Sequence, residues 1–419
     1  MRPMKMHGLP ARPSNSDYHL FRPTVVRTPA GPLRLYTKPG IFSWRKPDRA
    51  AQMLLSTLAK DGVPAGSRLL DLGCGNGVIG FGAGLIQPNV ELHLADASYA
   101  AVTAVSFSLD RLGLPGRVWH SDVGADLPAG LTVDVVVAHL PRGRDLGEEF
   151  IRVAWERLEP GGRFYLAGAK QTGIVTRVAT TGEWFGNVEM VATTANYRVA
   201  RALKRPGSAP PPPSTYHQYT VSQFQARERR WEYVSKPGVF GRKGLDGGTK
   251  RLLAHLEVRS GERVLDLGCG AGMVGLVCSG LTDLEGVVMV DDSLPAVRAA
   301  QRTIEHNRLP RAVARLSDAG SAVIGERFDV VATNPPFHLG SDVEFDTARQ
   351  FVEDSRDVLG TKGRLYLVGN SFLSHDQVME GMFRRVDEIH RDRFFRVLLG
   401  ARPVGRVKGR PLPPLVTEP

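Results

Sequence analysis

Between residues 263 and 370 short apolar, β-rich runs alternate with stretches of helical spacing. "RVLDL", "GVVMV", "FDVVAT" and "RLYLVG" are nearly continuous in apolar character, as strands covered on both faces are. "MVGLVCSGL" starts a helix just after a cluster of glycines. "LPAVRAAQRTIEHN" has helical periodicity with proline in its first turn, where a missing N–H costs nothing. "DTARQFVEDSRDVLG" is the helix between the last two strands. The pattern predicts a mostly parallel sheet with helices on both faces. Ligands in such sheets bind beyond the carboxyl ends of the strands. Asp266, Asp291 and Asn334 all fall at such ends and are expected to meet in one crevice.

The same alternation occurs earlier in the chain, and the words themselves repeat. "DLGCGNGVIG" (71–80) returns as "DLGCGAGMVG" (266–275), and the same offset carries Asp96 onto Asp291 and "VDVVVAHLPR" (133–142) onto "FDVVATNPPF" (328–337). Upstream, "YTKPGIF" matches "YVSKPGVF", with Lys38 on Lys236 and Tyr18-His19 on Tyr216-His217. The period is far too long for a solenoid, so one domain has been duplicated. "KRPGSAPPPPST" (204–215) lies between the copies, and its four consecutive prolines favour a semi-rigid extended spacer. The expected fold class is α/β, with two tandem Rossmann-like domains at 1–203 and 216–419 joined by that linker.

Composition narrows the class. Hydrophobic residues make up 42% and charged residues 23% of 419 positions, as in a soluble globular protein. No stretch approaches a membrane span, and the N-terminal residues contain no apolar signal region, so a cytoplasmic location is expected. The three cysteines, Cys74, Cys269 and Cys278, form neither a disulfide framework nor a metal-ligand pattern, and no metal is expected. The net charge of +11 is concentrated at the ends. Ten Lys and Arg stand against two Asp in the first fifty residues, and seven against two acids in residues 391–419. Basic ends on a nearly neutral body suit a polyanionic partner such as nucleic acid, although solvated tails account for the charge equally well.

The glycine loop carries the candidate chemistry. Gly268, Gly270 and Gly272, with Cys269 between the first two, follow a strand and open a helix, so backbone can approach a ligand closely. The spacing also matches a dinucleotide fingerprint, which keeps an NAD-dependent dehydrogenase in view. Asp266, two residues before the first glycine, would repel a pyrophosphate and suits a cationic ligand instead. Asp291 ends the next strand, where a carboxylate holds ribose hydroxyls. A ribose beside a cationic aminoacyl group describes S-adenosylmethionine. Asp318 is a candidate acceptor for the adenine amine, or an ordinary turn residue. Asp246 and Thr249, in "RKGLDGGT", are candidate polar contacts over the cofactor, or a plain turn into a helix.

Asn334-Pro335-Pro336-Phe337 has a specific use beside such a cofactor. Two prolines cannot continue a sheet ladder and leave it in a stiff extended turn. The exocyclic amine of a base is a poor nucleophile because its lone pair is delocalised. The Asn334 amide oxygen and the Pro335 carbonyl can accept its two N–H groups and aim the nitrogen at a sulfonium methyl, with Phe337 stacked on the base. His338 is read as a rim or helix-capping residue rather than an acid or base.

On these residues the second half resembles the class I methyltransferases with an Asn-Pro-Pro-aromatic motif. More narrowly, "KPGVFGRKGLDGGT" (236–249), "VLDLGCGAGMVG" (264–275), "DDSLPAV" (291–297) and "NPPFHLG" (334–340) resemble the bacterial ribosomal RNA guanine-N2 methyltransferases of the RsmC/RlmG type. Those proteins are duplicated too, with an N-terminal copy that has lost catalysis. The resemblance implies guanine N2 in ribosomal RNA or a ribosomal subunit as the target, small-subunit RNA being favoured; the residues alone do not separate guanine from adenine or cytosine.

The first half departs where it matters. His139, Leu140, Pro141 and Arg142 replace the Asn-Pro-Pro-Phe quartet, while Asp71, Gly73, Gly75, Gly77 and Asp96 remain. That copy is expected to be non-catalytic and to help grip RNA, with cofactor binding there left open. Two other readings stay in view: an amine methyltransferase acting on DNA adenine or a protein glutamine, and a non-catalytic RNA-binding or assembly module.

Overall fold

A computed structural model describes residues 18–282, 286–336, 342–373 and 375–404, with side chains omitted for 342–345. The first half runs β1 (Arg22–Thr28), β2 (Gly31–Thr37), α1 (Arg49–Asp61), β3 (Arg68–Leu72), α2 (Val78–Ile86), β4 (Glu91–Asp96), α3 (Tyr99–Leu112), β5 (Gly116–His120), β6 (Val133–His139), α4 (Arg144–Arg157), β7 (Leu158–Ala169), α5 (Ile174–Phe185), β8 (Glu189–Thr193) and β9 (Tyr197–Leu203). The second repeats it as β10 (Thr220–Ala226), β11 (Arg229–Ser235), α6 (Gly247–His255), β12 (Val264–Leu267), α7 (Met273–Ser279), β13 (Val287–Asp291), α8 (Leu294–His306), β14 (Ala312–Leu316), β15 (Phe328–Thr333), α9 (Asp342–Val358), β16 (Leu359–Asn370), α10 (His375–Met379), β17 (Phe383–Arg391) and β18 (Phe395–Pro403).

Each half builds one seven-stranded sheet in the same order, β5-β4-β3-β6-β7-β9-β8 and β14-β13-β12-β15-β16-β18-β17. In each sheet six strands run the same way and one, β9 or β18, lies antiparallel between its two neighbours. The doubly wound expectation holds in both copies. Strand order reverses between β12 and β15, and the ends of those strands bear the glycine loop and Asn334. A two-stranded hairpin precedes each sheet. β2 packs on α2 and α3, and β11 on α7 and α8.

The halves meet across a local two-fold axis. Ser98 and Ser293, equivalent residues of the two copies, form an antiparallel bridge. Tyr99 N–H donates to the Asp292 carbonyl and Leu294 N–H to the Ala97 carbonyl, both at 2.9 Å. Around this axis each copy inserts residues into the other. Tyr18 packs in the core of the second half and Tyr216 in that of the first. Lys38 Nζ lies 2.8 Å from Asp318 and Lys236 Nζ 2.9 Å from Asp122. The two lysines are 1% and 0% exposed, a burial that demands a counter-charge. The linker residues 204–215 form no helix or strand. No helix among the described residues is long and apolar enough to cross a membrane.

Candidate active site

The glycine loop after β12 is shaped by backbone that other residues adopt with difficulty. Gly268, Gly270 and Gly272 have φ of +77°, +54° and +78°, and the last caps α7. Gly268 and Cys269 N–H groups both donate to the Val290 carbonyl, which ties the loop to the end of β13. Gly270 N–H donates to Asp291 Oδ2 and Ser293 N–H to Asp291 Oδ1, each at 2.9 Å. Asp291 is thereby fixed at the loop's edge, only partly buried, with lone pairs left for incoming hydroxyls. Burial raises its carboxyl above the usual range, against the N–H donors that favour its charge. A loop whose only side chains, Cys269 and Ala271, are turned inward, beside a fixed acceptor carboxylate, fits the nucleoside of S-adenosylmethionine. Burial pushes the Cys269 thiol up, so it serves as packing rather than as a nucleophile.

Asp266 differs from its expected role. Its carboxylate is 2% exposed and accepts from Gly275 N–H at 2.8 Å, bracing the first turn of α7 from inside. Burial raises it to about 7. It supports the loop and does not face a cationic ligand. Asp318 requires a larger correction. Its Oδ2 receives Lys38 and lies 3.2 Å from His19 Nδ1, so it belongs to the seam between the halves rather than to an adenine pocket. Burial opposes its charge, but Lys38 and His19 outweigh that and hold it below the usual carboxylate range.

Asp246 and Thr249 are also reassigned. Asp246 caps α6 by accepting from the N–H groups of Gly248 and Thr249 at 2.8 and 3.2 Å. Its two oxygens lie 3.4 Å from Asn334 Nδ2, and Thr249 Oγ1 accepts from the same nitrogen at 3.0 Å. Their polar atoms are engaged with the α6 cap and the Asn334 amide. With Nδ2 committed to α6, the Asn334 oxygen points the other way. Pro335 is buried and Pro336 exposed. Phe337 and His338 lie outside the described residues.

The first copy preserves the wiring and changes the chemistry. Asp71 accepts from Gly80 N–H, and Asp96 from Gly75 and Ser98 N–H, at 2.8, 2.8 and 2.9 Å. Asp48 caps α1, and His139 Nε2 sits 2.8 Å from it, in the place where Asn334 Nδ2 lies 3.4 Å from Asp246. An imidazole thus replaces the acceptor amide, and Leu140, 2% exposed, fills the place of the first proline.

Sequence reasoning missed Lys38, His19 and Phe395. The repeated Tyr-His and Lys-Pro-Gly words were the signal for the first two. The Phe395 ring lies 2.6 Å from where a Cβ on Gly247 would stand, which accounts for the paired glycines after Asp246. Among the described residues no group of three or more His, Cys, Asp or Glu is placed to hold a metal.

Comparison with known proteins agrees with this geometry. The family model "Methyltransferase small domain" matches residues 32–201 and again 230–399. The chain belongs to this family, in two copies. A ribosomal RNA large subunit methyltransferase G of Pseudomonas paraeruginosa is 30% identical over 84% of this chain and 92% of its own length. A ribosomal RNA small subunit methyltransferase C of a Marinomonas strain is 26% identical over 73% of this chain and 85% of its own. A solved structure of the T. thermophilus 16S rRNA N2 G1207 methyltransferase (RsmC), in complex with AdoMet and guanosine, superposes with a TM-score of 0.78 and 30% identity. The match covers 93% of this chain and all of that one. The methyltransferase reading therefore displaces the dehydrogenase.

Proposed function

We propose that this protein transfers a methyl group from S-adenosylmethionine to the N2 amine of a guanine in ribosomal RNA, with small-subunit RNA as the substrate and the cytoplasm as the place of work. The orientation of the Asn334 amide carries the reading. Its nitrogen is held by Thr249 and Asp246, so its oxygen is presented as an acceptor. That oxygen and the Pro335 carbonyl take the two N–H groups of the base amine and turn its lone pair toward the cofactor side of the crevice. The cofactor supplies an electrophilic methyl on a sulfonium. As the N–C bond forms the methyl's bond to sulfur would break, leaving a neutral thioether, and the cationic nitrogen would then lose a proton to water, so no general base is needed beforehand. Gly268, Gly270, Gly272 and Asp291 are the residues proposed to hold the cofactor. The first half is proposed as a non-catalytic partner in RNA binding.

The test is transfer from tritiated S-adenosylmethionine to naked ribosomal RNA, to each ribosomal subunit and to DNA, followed by nucleoside analysis. N2-methylguanosine from small-subunit RNA is expected. Label confined to DNA or protein, or recovered as another methylnucleoside, overturns the reading.

A further inference from the structure

Two turns beside the candidate catalytic residues carry an unusual surface. The turn after β16 bears Phe372 and the turn before β18 bears Phe394, and their side chains are 61% and 60% exposed. Both lie at the carboxyl edge of the sheet, where β16 neighbours β15 and hence Asn334. The turns are not loose. Ser371 N–H donates to the Phe394 carbonyl and Ser371 Oγ to the Arg393 carbonyl, both at 2.9 Å. Asp392 accepts from the N–H groups of Phe394 and Phe395 at 2.8 Å each, and Arg251 of α6 fastens it at 2.8 Å. Phe395 in turn packs against Gly247, next to the aspartate that grips Asn334. The exposed rings are therefore held in fixed relation to the catalytic amide. The Arg393 guanidinium lies 5.4 Å from the Phe394 ring centre and adds positive charge to the same edge.

The first half provides an internal comparison. It keeps the same bracing, with Lys170 N–H donating to the Asn196 carbonyl at 2.8 Å. Yet Gln171, Ala195 and Asn196 stand where Phe372, Arg393 and Phe394 stand in the second half. The two exposed rings and the Arg393 guanidinium are absent from the copy that lacks the Asn-Pro-Pro motif, where Lys170 is the cation on the turn. Fold maintenance does not require them, since the same turns form without them. Exposed rings on a rigid edge with adjacent cations are what single-stranded nucleic acid uses for stacking.

We propose that Phe372 and Phe394, with Arg393, form a stacking rim for the unpaired RNA nucleotides that flank the target base. The inference rests on the RNA-methylation reading of the neighbouring site. Binding the flanking nucleotides leaves the target base extruded toward Asn334, as modification of a base requires. The rim positions substrate and takes no part in the chemistry.

The test uses the full chain with Phe372→Ala and Phe394→Ala, singly and together, plus Phe394→Tyr and Phe394→Leu. Naked small-subunit RNA is the substrate, and a labelled 12-nucleotide oligo(A) RNA is the binding probe. The double variant should raise KM for RNA about tenfold or more, the effect of losing stacked bases. It should leave kcat at saturating RNA, S-adenosylmethionine affinity and the unfolding midpoint near those of the parent. Phe394→Tyr should restore affinity and Phe394→Leu should not, which separates stacking from apolar bulk. Unchanged KM and unchanged oligo(A) binding in the double variant overturn the rim while leaving the methyltransferase reading intact. Equal rescue by Leu and Tyr overturns stacking. A parent protein that methylates no RNA defeats the function reading instead, and oligo(A) affinity then decides the rim: a loss in the double variant supports it and equality overturns it.

Discussion

Asn334 is useful because of what holds it. An unrestrained amide can present either end to an incoming amine, and only the oxygen accepts. Thr249 and Asp246 hold the nitrogen, so under the proposed function the choice is settled before substrate arrives, which is preorganisation in its simplest form. Asn334→Ala should therefore lower turnover by about 10²–10³ while S-adenosylmethionine affinity, measured by calorimetry, stays within a small factor of the parent. Thr249→Val removes one grip and leaves Asp246, so a fall in rate of about tenfold is expected, the effect of one neutral hydrogen bond. Asp291→Ala should act on the opposite quantity. Cofactor affinity should weaken by roughly 1.5–3 kcal/mol, the range for hydrogen bonds to a charged group. Full cofactor affinity in that variant would remove Asp291 from the site.

At the level of elements, the glycine loops illustrate how two equivalent pieces of backbone can be set different tasks. Gly77 and Gly272 have the same φ of +78° and open corresponding helices. A methyl group at either position meets left-handed strain of about 1–2 kcal/mol and close neighbours, Phe81 in one copy and Met289 in the other. Gly77→Ala and Gly272→Ala should thus lower the unfolding midpoint comparably. Only Gly272→Ala should also weaken cofactor binding and methylation per folded molecule. Parallel strands, glycine turns and strand-end acids were legible because each leaves a local mark: continuous apolar runs, a residue without Cβ, a fixed distance from the sheet. The grip of Asp246 on Asn334 and the pairing of Lys38 with Asp318 leave none. Their partners are distant in sequence, and periodicity reports that a side chain is buried without reporting what it is buried against. Asp318 looked like a pocket residue for that reason.

Across the whole molecule, the seam makes stability depend on pH. His19 and His217 are both raised from the usual 6.5 to about 9. Burial opposes the charge on His19, but its hydrogen bond to Asp318 and the nearby Asp354 carboxylate prevail, while pairing with the Asp122 and Glu149 carboxylates leads at His217. In the folded chain they hold protons that the unfolded chain releases near 6.5. Their contribution is whole below that pH and is lost as pH rises through 9. Asp71, Asp266 and Asp292, each raised to about 7 by burial, add a loss of the same sign in the lower part of that interval, so the histidines' share is read from their variants. Thermal unfolding should therefore show a midpoint falling between pH 7 and 9.5. The His19→Gln, His217→Gln double variant should show a flatter profile, and identical slopes would remove the histidines from the account.

The reciprocal lysines have one more consequence. A contact in which residue i of one body meets residue j of the other, and j meets i, is the signature of a closed homodimer. Here the two bodies are one chain, tethered through residues 204–215, so each meets the other at an effective concentration that dilution cannot lower. Separate copies would expose Lys38 and Lys236 without their aspartates and would depend on encounter for stability, as obligate dimers do. Covalent union removes that dependence and fixes the stoichiometry at one to one. Either partner can then diverge in its own crevice while still supplying the charge and ring that the other buries.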